Sequence, residues 1–195
     1  MTVFALLFLA LFLAAVVTLI VAGVLALRGF RAGALARLRL VGMSAAAYMG
    51  VVVVVALVTP QRFLAIGDEQ CSDDWCIAVR AVRQQPASTS TMYNVTFGLM
   101  SRARGVAQRE RSVGVYLRDA RGRRYDPAGD AGDIPFDTLL HAQETIEATR
   151  RFEVPAGADI VGLVVTREGG IPGPGCCIIG DEGSLLHKKT IVRLQ

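Results

Sequence analysis

Two long stretches of the chain show no alternation between apolar and polar positions. Residues 2–27 contain no charged side chain, and Phe4, Leu6, Leu7, Phe8, Leu9, Leu11, Phe12 and Leu13 make the first half apolar on every face. At about 1.5 Å per residue, such a helix reaches about 39 Å, more than the ~30 Å hydrocarbon core of a bilayer. A cleaved signal peptide needs a charged segment ahead of an apolar run of about 7–15 residues. No charge precedes Arg28, and the run is far longer, so a membrane span is expected. Residues 40–61 form the second uncharged stretch, which predicts a span over about 40–60 ending at Pro60. Its Val51–Val55 run is β-branched, but an isolated strand in lipid leaves its backbone unsatisfied, so helix is expected there too. Gly42, Ala46 and Gly50 share one helix face, as close packing in lipid requires. Ala10, Ala14, Thr18 and Ala22 repeat that spacing in the first span. Two spans packed as a hairpin, a homodimer seam, and the chance spacing of an alanine-rich segment are the three readings of these faces. The connector 28–39 carries Arg28, Arg31, Arg37 and Arg39; short basic loops face the cytoplasm, which puts everything after residue 60 outside.

Beyond residue 60 the rhythm changes to period two. Residues 61–74 read as a linker and domain entry, and 75–195 as one domain. Trp75, Ile77 and Val79 share a face, as do Tyr93, Val95, Phe97 and Leu99, and again Val113, Val115 and Leu117. Asp119-Ala120-Arg121-Gly122 is a turn, with Arg123 to Tyr125 returning from it. Ile146, Ala148 and Phe152 mark a strand ending at Pro155. Residues 160–166 are apolar on both faces and so predict a central strand, and Ile191 to Leu194 gives a final one. Only 137–151 offers a weak helical alternative. Short strands separated by turns predict an all-β sandwich.

Charge sharpens this division. The chain is 52% apolar with a mean hydropathy of +0.43, and its net charge is +4. Residues 1–60 hold four Arg and no acid, while 61–195 hold 17 basic and 17 acidic residues. A neutral folded part excludes a nucleic-acid-binding domain, and the apolar content excludes disorder.

Short motifs carry a family resemblance. Val115-Tyr116-Leu117-Arg118-Asp119-Ala120-Arg121-Gly122-Arg123-Arg124-Tyr125 reads as a strand, a D-x-x-G turn and a Tyr. Leu140-His141-Ala142-Gln143-Glu144-Thr145 resembles an L-x-P-G-E-S/T entry, with Ala142-Gln143 in place of Pro-Gly, and Phe152-Glu153-Val154-Pro155 resembles an F-D-V-P strand end. In this order, over about 75–166, they resemble the telokin-like immunoglobulin-fold domains of unknown function in bacterial lipoproteins and membrane-anchored proteins. The resemblance implies an immunoglobulin-like sandwich in an extracytoplasmic setting, and implies no reaction.

The four Cys, Cys71, Cys76, Cys176 and Cys177, all follow the spans. An even count outside the membrane points to disulfides. Joining each cluster to itself requires a vicinal Cys176–Cys177 bridge, so two bonds between the 71/76 and 176/177 clusters are expected, carried by the Gly/Pro-rich loop Gly169–Gly175. The metal alternative adds His187 and Met92 or Met100 as soft ligands for copper. Two spans and an outer sandwich are also the arrangement of the copper-bearing subunit of respiratory oxidases. That family spaces its two Cys four apart with a His four beyond; here the pair is adjacent and His187 is ten residues on. No metal or other cofactor is therefore expected. Asp181, Ser184 and His187 lack the G-x-S-x-G context of a nucleophile elbow, and His141 reads as a surface loop residue. Asp68, Glu69, Asp73 and Asp74 fit no calcium-loop spacing. Arg102, Arg104, Arg109 and Arg111, diluted by Glu110, read as an exposed hairpin tip. Asn94-Val95-Thr96 matches a glycosylation sequon but lies on an expected strand.

The sequence thus predicts two N-terminal transmembrane helices followed by an immunoglobulin-like β-sandwich, in the inner membrane of a bacterium. It predicts a non-enzymatic extracytoplasmic module binding a protein or an envelope component. An accessory subunit of a larger membrane complex, and a copper-handling or redox protein, are the alternatives.

Overall fold

The computed structural model describes residues 3–111, 113–129, 133–167, 178–179, 186 and 188–194. Two compact units emerge, one built on the apolar helices and one on strands.

In the first unit, α1 (Val3–Leu27) and α2 (Arg31–Val58) pack against each other. Both are long and apolar enough to cross a membrane, with mean hydropathies of 3.0 and 2.3 over their most apolar 18 residues. The connector is shorter than the sequence suggests. It consists of Arg28, Gly29 and Phe30, with Gly29 at φ +85°, a conformation that favours glycine. Arg31, Arg37 and Arg39 lie on the first turns of α2, not in a loop. The physical reason is composition: Ala32, Ala34, Leu35, Ala36 and Leu38 are strong helix formers, and nothing after Gly29 stops the helix. The Val51–Val55 run is helical as expected. The seam between the helices is not the Gly42, Ala46, Gly50 face, whose three residues are exposed; it buries Ala22, Ala34, Val52 and Ala56. Phe8 meets Tyr48 across it at 6.1 Å. On α1, Thr18 turns its hydroxyl back to the Ala14 carbonyl at 2.7 Å, and Ala10 and Ala14 are exposed.

The second unit is a sandwich of two sheets. One runs β2 (Glu69–Ser72), β3 (Trp75–Pro86), β4 (Ser90–Ser101), β7 (Thr145–Pro155), all antiparallel. The other runs β1 (Phe63–Leu64), β9 (Ile191–Val192), β8 (Ile160–Arg167), β5 (Val113–Asp119), β6 (Arg124–Tyr125), with β1 parallel to β9. The expected alternating faces meet in the core: Trp75, Ile77, Val79, Tyr93, Val95, Phe97 and Leu99 from one sheet, Val115, Leu117 and Leu163 from the other. β8 is central and buries Leu163 and Val164 completely, on opposite faces. Two expectations change. Residues 61–74 are not a linker, because Phe63–Leu64 and Glu69–Ser72 add a strand to each sheet. Residues 145–151 are strand rather than helix, since their β-branched Thr145, Ile146 and Thr149 pair along β4.

Candidate binding cleft

The β5–β6 turn is organised by one carboxylate. Asp119, 2% exposed, accepts hydrogen bonds from the Arg121 and Arg123 amides at 3.0 and 2.8 Å, from Arg123 Nε at 2.7 Å and from the Tyr125 hydroxyl at 3.1 Å. Burial pushes its pKa up, but the hydrogen bonds from Arg123 and Tyr125 outweigh this and hold it below the usual carboxylate range. Gly122 closes the turn at φ +80°. This is the physical content of the D-x-x-G…Tyr motif, and it is structural. The second motif is structural as well. Glu144 accepts the His141 amide at 2.7 Å, and Gln143 takes a positive φ of 64° at the Gly position of the L-x-P-G-E pattern. Gln143 is held there by donating to the carbonyls of Arg102 and Ala103 at 3.1 and 3.0 Å.

After Tyr125 the chain leaves the β5 sheet. Asp126 and Pro127 lead to Ala128, which bonds to Arg151 on the edge of β7 at 2.8 Å. Between β5 and this crossover opens a cleft of about 630 Å³, lined by Val113, Gly114, Val115, Arg124, Asp126, Pro127, Pro135, Phe136, Asp137 and Arg150. Arg150 is its unusual member. It occupies an inward position of β7 between buried Ala148 and Phe152, where an apolar residue belongs. Its guanidinium lies 4.1 Å from the Phe136 ring centre, donates to the carbonyls of Thr149 and Ile134 at 2.8 Å each, and faces Asp133 at 3.5 Å. Burial lowers its pKa, and Asp133 opposes that shift. Phe136 in turn packs edge-on against core Phe97 at 5.2 Å. Across the cleft, Arg124 lies over the Tyr116 ring at 4.4 Å and pairs with Asp126 at 2.6 Å. Asp137 is held below the usual carboxylate range by a hydrogen bond from Arg109. Among the described residues the lining offers guanidinium donors, two carboxylates and apolar surface, and no serine, cysteine or histidine.

The cysteines differ from expectation. Cys71 is bonded to Cys76, its direct partner in the β2–β3 register. A tight hairpin places the two side by side, so neither remains for a bridge to the other cluster. Cys176, Cys177, Asp181, Ser184, His187 and the loop Gly169–Gly175 lie outside the described residues. Glu69 approaches the two sulfurs, but the disulfide removes both thiols from any metal set, and Glu69 pairs with Arg102. Met100 Sδ accepts from Arg80 at 3.1 Å. The remaining acids are dispersed: Asp68 accepts the Ala65 amide at 2.8 Å, Asp73 sits in a turn at φ 51°, and the Asp74 carbonyl accepts the Arg102 amide at 2.7 Å. Arg104 and Arg111 are exposed, as is His141, so the basic stretch does not converge on one site. Asn94 and Met92 are half-buried on β4. Sequence reasoning missed Arg150, Arg124 and Phe136. The one available signal was the arginine that interrupts the Ile146, Ala148, Phe152, Val154 alternation.

No known family model matches the chain, and no curated protein matches it in sequence. Among solved structures, an uncharacterised β-sandwich protein from Clostridium difficile is similar at 11% identity and a TM-score of 0.45, over 70% of this chain and 96% of that one. The secreted protein MPT63 of Mycobacterium tuberculosis is similar at 13% identity and a TM-score of 0.43, over 56% of this chain and 92% of that one.

Proposed function

We propose that the chain is a membrane-anchored extracytoplasmic interaction module, a helical hairpin carrying an immunoglobulin-like sandwich that binds a protein or an envelope component. The observation that carries this reading is the cleft beside β5, which combines the guanidinium donors of Arg124 and Arg150 with the apolar wall of Val113, Val115 and Phe136. The anchor is supported by the side chains that α1 and α2 leave exposed, Leu, Phe and Val along nearly their whole length. The four Arg at the helix connection favour a cytoplasmic connector and an outer sandwich. A subunit role in a larger membrane complex is the second reading. It is favoured by the Gly42, Ala46, Gly50 face, which the hairpin leaves open to another helix, including that of a second copy.

Two measurements test the module. A periplasmic reporter fused after Gln195 is active, and a photo-crosslinking residue in place of Asp126 captures a discrete partner in native membranes. A cytoplasmic reporter signal refutes the orientation. Crosslinks confined to residues outside the cleft refute the binding site.

A further inference from the structure

The edge of β5 is open because the chain's own continuation is barred from it. The Asp119 amide bonds to the Arg123 carbonyl at 3.1 Å, and Leu117 pairs with Tyr125. Backbone groups alternate sides along an antiparallel strand, so the N–H and C=O of Val115 and Val113 point to the same side as those of Leu117. Continuing the β6 register would place Pro127 opposite Val115. Proline has no N–H to give, and the residue before it is also constrained, so β6 stops after two residues and the chain turns away to β7. Among the described residues no strand pairs with Val113–Tyr116 on that side. The other edges are guarded. β1 and β6 are two residues long, β2 is cross-linked, and β7 carries Glu147, Arg150, Arg151 and Glu153. Val113-Gly114-Val115-Tyr116 is the uncharged exception, and its first three residues form one wall of the cleft.

Resting on the module reading, we propose that the cleft takes an extended peptide segment of a partner protein, added as a strand to β5, with an acidic side chain reaching Arg150. The backbone of Val113 and Val115 supplies the hydrogen bonds for strand addition. An added strand presents alternate side chains to two different surfaces, Arg124 over Tyr116 on one face and Arg150 with Phe136 on the other. The acid belongs on the second face. Arg124 already has Asp126 at 2.6 Å, whereas among the described residues the nearest carboxylate to Arg150 is that of Asp133, a looser pair at 3.5 Å, and the Arg150 guanidinium is largely shielded from water. A charge-assisted hydrogen bond is stronger in that setting.

The test uses the full chain in detergent and a blocked heptapeptide of alternating threonine and valine with one central aspartate. Hydrogen exchange at the Val113 and Val115 amides slows on saturation, while Gly114 and Tyr116, already directed at β8, keep their rates. Changing the peptide's aspartate to asparagine weakens binding by more than about tenfold, and Val113→Pro, which deletes one edge donor, weakens it about fivefold. Pro127→Val lets β6 run on along β5 and also weakens binding. Unchanged exchange at Val113 and Val115, or equal binding of the asparagine peptide, overturns the proposal. So does a concentration-dependent dimer of the chain that Val113→Pro dissolves, because the occupant is then a second copy. If the heptapeptide fails while the cleft crosslink to a partner persists in Val113→Pro, strand addition falls and the module stands. If the heptapeptide passes and no partner crosslinks, the reverse holds.

Discussion

Replacing Cys71 with serine cuts the Cys71–Cys76 bond at its exposed end and leaves the buried Cys76 undisturbed. The sequence separation closed by the bond is 5 residues. Loop-closure entropy for so short a ring corresponds to about 2 kcal/mol, against about 4.7 kcal/mol for a bridge spanning about 100 residues. With a urea dependence of about 2 kcal/mol per molar, the midpoint falls by about 1 M. Trp75, the sole tryptophan of the sequence, is 4% exposed in the sandwich core, so its emission follows that unit without interference from the helices. Dithiothreitol added to the unmodified chain reproduces the shift, and added to Cys71→Ser changes nothing further in the Trp75 transition. The connectivity itself is read from a non-reducing tryptic digest. Arg62, Arg80, Arg167 and Lys188 delimit peptides 63–80 and 168–188, each holding one cysteine pair. A self-contained 63–80 peptide, two hydrogens lighter than its reduced form, is expected. Peptide 63–80 joined to 168–188, or a stability loss near 5 kcal/mol, refutes the short loop and restores the long clamp.

Three further outcomes use the same Trp75 transition. Asp119 has a lowered pKa in the fold, so its contribution is complete above the unfolded value of about 3.9 and is lost as pH falls through the folded value; Asp119→Asn flattens this acid limb. Gly162→Ala places a Cβ 2.4 Å from the Val192 carbonyl oxygen and 2.6 Å from Ile191 Cγ2, which forces β9 off β8 and costs roughly 3 kcal/mol, whereas Gly98→Ala meets the movable Arg80 side chain and costs less. A double-mutant cycle of Phe136→Leu and Arg150→Met gives a coupling of about 1 kcal/mol from the guanidinium over the ring, and no coupling removes Arg150 as the clamp on the 133–137 segment.

The sandwich was legible because its inner faces alternate strictly and its turns use residues whose chemistry is local. Asp119, Gly122 and Tyr125 lie within seven positions, and the hydrogen bonds they make are those their spacing allows. The strands at Phe63–Leu64 and Glu69–Ser72 were not legible. Two to four residues are too few to show a period, and their pairing depends on partners elsewhere in the chain. The helix start at Arg31 is hidden in the sequence because a cluster of charge reads as a loop, although arginine is a good helix former. The cleft was invisible for a different reason. Arg150, Phe136 and Arg124 come from a strand, a crossover and a hairpin return, and only the packing of two sheets assembles them. The sequence steers the pairing of Cys71 to the long clamp, because pairing each cluster within itself requires a vicinal Cys176–Cys177 bridge. Proximity across a four-residue turn decides it instead.

β1 has consequences for the order of events during synthesis. It sits at a sheet edge and, among the described residues, pairs with β9 only: the Arg62 carbonyl accepts from Ile191 and the Leu64 carbonyl from Arg193, at 3.0 and 2.9 Å. Gln61 and Lys189, bonded beside them, are 128 positions apart. At a translation rate of about 5–20 residues per second, the first strand of the sandwich waits about 6–26 s for its partner. Through that interval its backbone is available to any passing strand, and its brevity is what keeps such contacts short-lived. Closure of the sheet is thereby tied to delivery of the last-made strand, so the ribosome sets when this domain becomes complete.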